Sequence, residues 1–171
     1  MADNQREMKR LLILRHAKSS WGDSSLDDWE RPLNPRGLRD APRVGALLRK
    51  HALVPDLIIT SDAVRARTTA HAVAEAAGYH REIVADPRLY LATPAELLAV
   101  LQGVSDESAR AMIVGHNPGL EDLIERLAGE HHGLPTATLA HLALPIDRWS
   151  ALDDQTGGTI VNIWRPGEEP A

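Results

Sequence analysis

The stretch Leu11-Leu12-Ile13-Leu14-Arg15-His16-Ala17-Lys18-Ser19-Ser20-Trp21 decides how the chain is read. Four aliphatic residues in a row, bounded by charge before and small polar residues after, predict a central strand buried on both faces. The strand ends abruptly in Arg15-His16, and open α/β sheets bind their ligands just beyond the carboxyl ends of the strands. A second run, Ala111-Met112-Ile113-Val114-Gly115, has the same character and leads straight into His116-Asn117-Pro118-Gly119. Two buried strands that each deliver a histidine at the carboxyl end predict a reaction site there, because such strands hold their ends rigidly.

Between these runs, Leu57-Ile58-Ile59-Thr60 predicts a short buried strand, with Ser61-Asp62 starting a helix over about 62–77 that Gly78 stops. Residues 19–34 read as a long loop leaving the Arg-His pair, and loops of that length are uncommon unless they do something. Asn34 or Asp40 is expected to cap the next helix, with Pro42 in its first turn or kinking it. Glu82–Ala85 is a candidate edge strand. Thr93-Pro94-Ala95-Glu96 is a helix start with a cap, a first-position proline and a capping-box glutamate. A helix over about 119–127, a turn region over 129–135 with His131 and His132 solvated, and strands over 137–144 and 158–164 complete the chain. Strands alternating with helices predict an α/β fold: a three-layer sandwich with a mainly parallel central sheet flanked by helices. Residues 1–8 are expected to be a flexible tail, and 9–166 a single domain.

The composition narrows the function. Within 171 residues there is no cysteine, so there is no disulfide, no thiolate metal site and no cysteine nucleophile. The net charge of −5 gives no basic footprint for nucleic acid. No apolar run approaches the ~20 residues of a membrane helix, and residues 1–9 lack the apolar middle of a signal peptide. A cytoplasmic monomer is the expectation.

Arg-His at 15–16, Ser-x-x-x-Arg-Ala-Arg-x-Thr-Ala over 61–70 and Val-Gly-His-Asn-Pro over 114–118 resemble the histidine phosphatase superfamily in order and spacing. The finer text, Leu-Arg-His-Ala-Lys-Ser-Ser-Trp and then Asp28-Trp29-Glu30-Arg31-Pro32-Leu33-Asn34, is similar to its SixA-type phosphohistidine phosphatase branch, including Ala17 where many members have glycine. The resemblance implies a phosphoglycerate mutase-like fold and a covalent route. In that route His16 is the nucleophile, and Arg15, Arg65 and His116 bind the phosphoryl oxygens. Independent chemistry agrees, because phosphoryl transfer needs in-line positioning and stabilisation of spread-out negative charge. Guanidinium groups supply planar, permanently charged donors and disfavour protonation of the nearby His16.

Arg65 and Arg67 cannot share a helix face, and the motif favours Arg65 as the inward one. Asn117, Ser19 and Ser20 are second-tier donors, and the helix starting near Pro118-Gly119 can turn free N–H groups towards the phosphate. Lys18, Arg31, Arg36 and Arg39 read as exposed loop and helix charges, and Trp21 and Trp29 as loop anchors. A metal at His16 and His116 would need Asp62 or Asp86 as a third ligand, and arginines beside both histidines oppose it; no metal or other cofactor is expected.

Phosphomonoesterases of this superfamily usually carry an acid that protonates the leaving oxygen. The corresponding region here is Asp86-Pro87-Arg88-Leu89-Tyr90, in which Asp86 is a candidate acid but reads first as a turn cap. A weak acid suits a P–N bond, since imidazole, with a pKa of ~6.5, is easily protonated. With this chemistry compatible with a P–N bond, the SixA-type resemblance implies a phosphohistidine-bearing protein as the expected substrate. A small sugar or nucleotide phosphate ester, with Asp86 as acid, and a non-catalytic phosphate-binding module are the alternatives.

Overall fold

The computed structural model describes residues 8–168. The expected N-terminal tail lies outside these residues except for Met8, which is exposed. Among the described residues one sheet contains β1 (Lys9–Arg15), β2 (Leu57–Thr60), β3 (Ile83–Ala85), β4 (Arg110–Gly115), β5 (Leu139–Leu144) and β6 (Thr159–Trp164). Their order is β3-β2-β4-β1-β5-β6. The first four pair in parallel, while β5 runs antiparallel to both β1 and β6. Four α-helices among the described residues cover the sheet: α1 (Pro35–Lys50), α2 (Val64–Ala77), α3 (Pro94–Gln102) and α4 (Gly119–Ala128).

The period-two geometry of a strand explains the continuous apolar run in β1. Leu11 and Ile13 point to one face, into a core with α3 and α4 residues such as Leu97, Leu101, Leu123 and Leu127. Leu12 and Leu14 point to the other, among Val44 and Leu48 of α1 and Ala66, Ala70 and Val73 of α2. All four β1 side chains are fully buried, each worth about 1.5–3 kcal/mol relative to exposure. The alanine-rich face of α2 lets α1 approach closely: a Cβ on Gly45 of α1 would lie 2.4 Å from the Val73 carbonyl oxygen.

Local chemistry sets the helix ends. Asn34 caps α1 by accepting from the Gly37 amide; Asp40 instead faces inward on α1, paired with Arg36 and Arg43. Pro42 lies well inside α1 rather than in its first turn, so the ladder bond to the Leu38 carbonyl is missing there. Thr93 and Glu96 form the full capping box of α3. Gly78 ends α2 at φ +75°. Helix α2 begins at Val64, two residues later than the sequence suggests, because the Ser61 hydroxyl takes the Ala63 amide and the chain turns before it coils. No helix among the described residues is long and apolar enough to cross a membrane.

Register positions the site. Arg15 of β1 lies beside Gly115 of the neighbouring β4, and Thr60 of β2 beside Val114. His16, Ser61 and His116 therefore emerge together at one rim.

Candidate active site

The rim opens into a cavity of about 330 Å³ lined by Arg15, His16, Lys18, Ser19, Trp21, Asp28, Arg31, Arg65, Leu91, His116, Asn117 and Thr136. The His16 and His116 rings lie 5.2 Å apart, centroid to centroid. Thr69 of α2 ties the two motifs together, since its hydroxyl accepts the Ala17 amide at 3.0 Å and donates to the Arg65 carbonyl at 2.7 Å.

The environment of His16 defines its tautomer. Nδ1 lies 2.7 Å from the Ala17 carbonyl oxygen, which can only accept, so Nδ1 carries the proton. Nε2 then keeps its lone pair, 3.4 Å from the Arg65 Nε–H. Burial, with the charges of Arg65, Arg15 and Arg31, lowers the His16 pKa to about 4 against the opposing Ala17 hydrogen bond. The ring is a neutral, oriented nucleophile.

Burial, reinforced by His16 and Arg65, holds His116 neutral, with a pKa of about 3. Its Nε2 lies 2.8 Å from the Ser61 hydroxyl. That hydroxyl is wholly buried and already accepts the Ala63 amide, so its own proton goes to Nε2. Nδ1–H then faces the cavity. Arg65 Nη2 lies 3.4 Å from this Nδ1, so the guanidinium and the imidazole edge meet at one anion position.

Arg65 is 3% exposed and is held by a residue of the long loop. Its Nη1 donates to the Asp28 carbonyl at 2.6 Å and its Nη2 to Asp28 Oδ2 at 2.9 Å. Asp28 also accepts from the Tyr90 hydroxyl at 2.5 Å and from Arg31 Nε at 3.1 Å. Burial alone would raise the Asp28 pKa, but these donors and the Arg65 charge bring it down to about 2. Arg67 turns away, its guanidinium 5.3 Å from the Trp29 ring centroid.

Arg15 is anchored by Nη1 to the Leu134 carbonyl, and its Nε is buried without a protein partner. Ser19 Oγ accepts from Arg31 Nη1, which leaves its own proton free to donate into the cavity. Several expectations are corrected. Asn117 spends its amide protons on Glu121 and the Leu134 carbonyl, so it offers the cavity no donor. The Leu120 amide is taken by the His116 carbonyl, and no residue from Pro118 to Leu120 lines the cavity. Asp86, the alternative acid, does not line it either: its carboxylate caps the 87–89 turn, the reading the sequence favours, and pairs with Arg88 at 2.8 Å, and the Arg88 hydrogen bond lowers its pKa. Arg31 is buried rather than an exposed charge, and Trp21 is 74% exposed at the rim rather than an anchor. Ser20 does not line the cavity, and its Oγ accepts the Gly22 amide within the loop.

Asp28, Tyr90, Arg31 and Ser61 are the participants that sequence reasoning missed. Of these, Ser61, Asp28 and Arg31 stand inside the quoted motifs, where their positions gave a signal, and Tyr90 closes the stretch that holds the candidate acid. The arrangement presents converging donors around a neutral imidazole lone pair, a geometry suited to accepting a phosphoryl group.

Residues 11–90 match the model of the histidine phosphatase superfamily (branch 1). The chain is 33% identical to an uncharacterised chloroplastic protein of Arabidopsis thaliana over 92% of its own length and 78% of that protein's. The chain belongs to the histidine phosphatase superfamily. Among solved structures, the SixA phosphohistidine phosphatase candidate of Agrobacterium tumefaciens superposes with a TM-score of 0.80 at 29% identity, covering 93% of this chain and 99% of that one. The tungstate complex of the protein histidine phosphatase SixA shares the fold, with a TM-score of 0.77 at 21% identity over 92% and 97% of the two chains. A mycobacterial glucosyl-3-phosphoglycerate phosphatase shares it more distantly, at 0.65 and 17% over 90% and 97%. This superfamily membership and the SixA-like fold support a phosphatase.

Proposed function

We propose that the protein hydrolyses phosphohistidine on a partner protein, without a metal, through a phosphoryl group carried transiently on His16. The carrying observation is the state of the one carboxylate among the cavity-lining residues. Asp28 is held ionised by Arg65, Tyr90 and Arg31, and Asp86 is bound to Arg88 outside the cavity. An ester would need an acid to release its alkoxide. Imidazole leaves as a neutral molecule once its remote ring nitrogen bears a proton, and its pKa of ~6.5 makes that proton easy to hold. The 29% identical SixA candidate of Agrobacterium tumefaciens supports the same substrate class.

The steps balance. His16 Nε2 attacks phosphorus, the P–N bond to the substrate ring breaks, and its electron pair returns to that ring nitrogen. The His16 ring, with Nδ1–H on the Ala17 carbonyl, is now a phosphoimidazolium, itself a good leaving group. Water attacks phosphorus and dihydrogen phosphate departs, restoring neutral His16. Arg15, Arg65, His116 Nδ1–H and Ser19 are the donors to the transferring oxygens. A pure binding module would have no use for an oriented lone pair between arginines.

The test is turnover, with EDTA present, of a histidine-phosphorylated protein against a panel of sugar and nucleotide phosphates, with His16→Ala as control. Rapid loss of the protein-bound phosphoryl group, weak ester cleavage and an inactive variant are expected. Ester cleavage that outpaces the phosphoprotein reaction refutes the assignment.

A further inference from the structure

The rim carries features that phosphate binding alone does not need. Two of the large exposed hydrophobic residues, Trp21 and Leu91, line the same cavity as the two histidines. Leu91 is 57% exposed and sits at φ +49°, a backbone region that a branched L side chain adopts only at steric cost. Exposed apolar surface at a polar site marks contact with an apolar or flat group. We propose that Trp21, Leu91 and Asp28 form the seat of the leaving imidazole ring, so that this rim selects phosphohistidine over other phosphoryl donors. The proposal rests on the phosphohistidine reading above and names the residues that enforce it.

Trp21 is exposed yet fixed. The Arg31 guanidinium lies 3.4 Å from its ring centroid and covers one face, and an exposure of 74% leaves the other face open. Arg31 is itself buried and held by Ser19 Oγ, the Ser20 carbonyl and Asp28 Oδ1. The indole is therefore a preorganised platform that gives up little freedom when a ring stacks on it. A protonated imidazole gains further from the electron-rich indole face.

Asp28 stands between the two apolar residues. Its Oδ1 accepts from Arg31, the stacking partner of Trp21, and its Oδ2 accepts from Tyr90, the neighbour of Leu91. With Arg65 the carboxylate accepts three hydrogen bonds, and a carboxylate has about four acceptor sites. The remaining lone pair belongs to Oδ1 and takes the N–H on the substrate ring nitrogen remote from phosphorus. That contact keeps the proton where P–N cleavage needs it. It mirrors the Ala17 carbonyl on His16 Nδ1: each imidazole that holds the phosphoryl group has its remote N–H secured, and the transfer moves no proton.

The experiment compares two P–N substrates in EDTA: a histidine peptide phosphorylated with phosphoramidate, and phosphoramidate itself, which has the bond but no ring. Trp21→Ala and Asp28→Asn are expected to lower kcat/KM for the peptide at least tenfold more than for phosphoramidate, and Trp21→Phe to restore most of the Trp21 loss. Thermal melts confirm folding of each variant. Parallel losses on both substrates overturn the proposal, since Asp28 then only holds Arg65 and Trp21 only covers Arg31. A wild-type protein that cleaves phosphoramidate but not the peptide overturns the phosphohistidine reading itself.

Discussion

His16 should titrate as a buried base. Its pKa of about 4, set first by burial and then by the surrounding arginines, lies below the ~6.5 of a free histidine. At pH 5.5 an ordinary histidine is roughly 90% protonated, whereas a group with a pKa of about 4 is roughly 3% protonated. The difference of about 2.5 units is on the order of 3 kcal/mol between the two protonation states. The direct assay is NMR of the histidine ring C2 protons between pH 3 and 8, with the His16 signal assigned by its loss in His16→Gln. The expected midpoint is near 4. Because burial is the leading cause, Arg65→Gln should raise it only part of the way towards the ordinary value. The linkage has a definite sign. His16, His116 and His141 all have depressed values, so the unfolded chain takes up protons first as pH falls. Stability is fully present above ~6.5 and declines as pH drops towards 4. A His16 midpoint near 6.5 in the folded protein would refute the burial argument.

Ser61→Ala removes the proton donated to His116 Nε2 and leaves a buried nitrogen unpaired, which costs about 1–3 kcal/mol of stability. It should lower kcat/KM by roughly tenfold or more and change the ring-nitrogen shifts of His116; unchanged shifts with unchanged turnover would count against the assigned tautomer. Gly37→Ala places a Cβ 2.1 Å from the Lys18 carbonyl oxygen, a backbone atom two residues beyond His16. It should destabilise by about 1–3 kcal/mol in urea melts and depress turnover, and a variant as stable and active as the parent would show that α1 can shift freely.

Much of this was readable in advance because the relevant signals are local. The apolar runs in β1, β2 and β4 report their own burial, and Thr93-Pro94-Ala95-Glu96 carries its capping chemistry within four residues. Adjacent parallel strands of matched register then bring His16 and His116 together without further information. Asp28 and Tyr90 were not readable in that way. They meet across 62 residues through loops, and nothing in the spacing of either says that they share a hydrogen bond. Trp21 misled because large aromatic residues usually anchor loops, and only the stacking of Arg31 explains how it stays ordered while exposed. The position of Asn117 is correct, but Glu121, one helical turn later, and the Leu134 carbonyl take its two amide protons.

The order β2-β4-β1 places the three strands that supply Ser61, His116 and His16 side by side at the middle of the sheet, flanked by other strands on both edges. The residues that would touch the departing group come from elsewhere, from the connection between β1 and α1 and from the one between β3 and α3. The reacting histidines and the proposed seat of the leaving ring thus lie on different parts of the chain, with the β1–α1 connection serving both through Ser19 and Asp28. Changes confined to positions such as Trp21 and Leu91, which spare Ser19, Asp28 and Arg31, can therefore retarget such an enzyme towards other P–N or P–O donors while the groups that hold the phosphoryl oxygens stay in place.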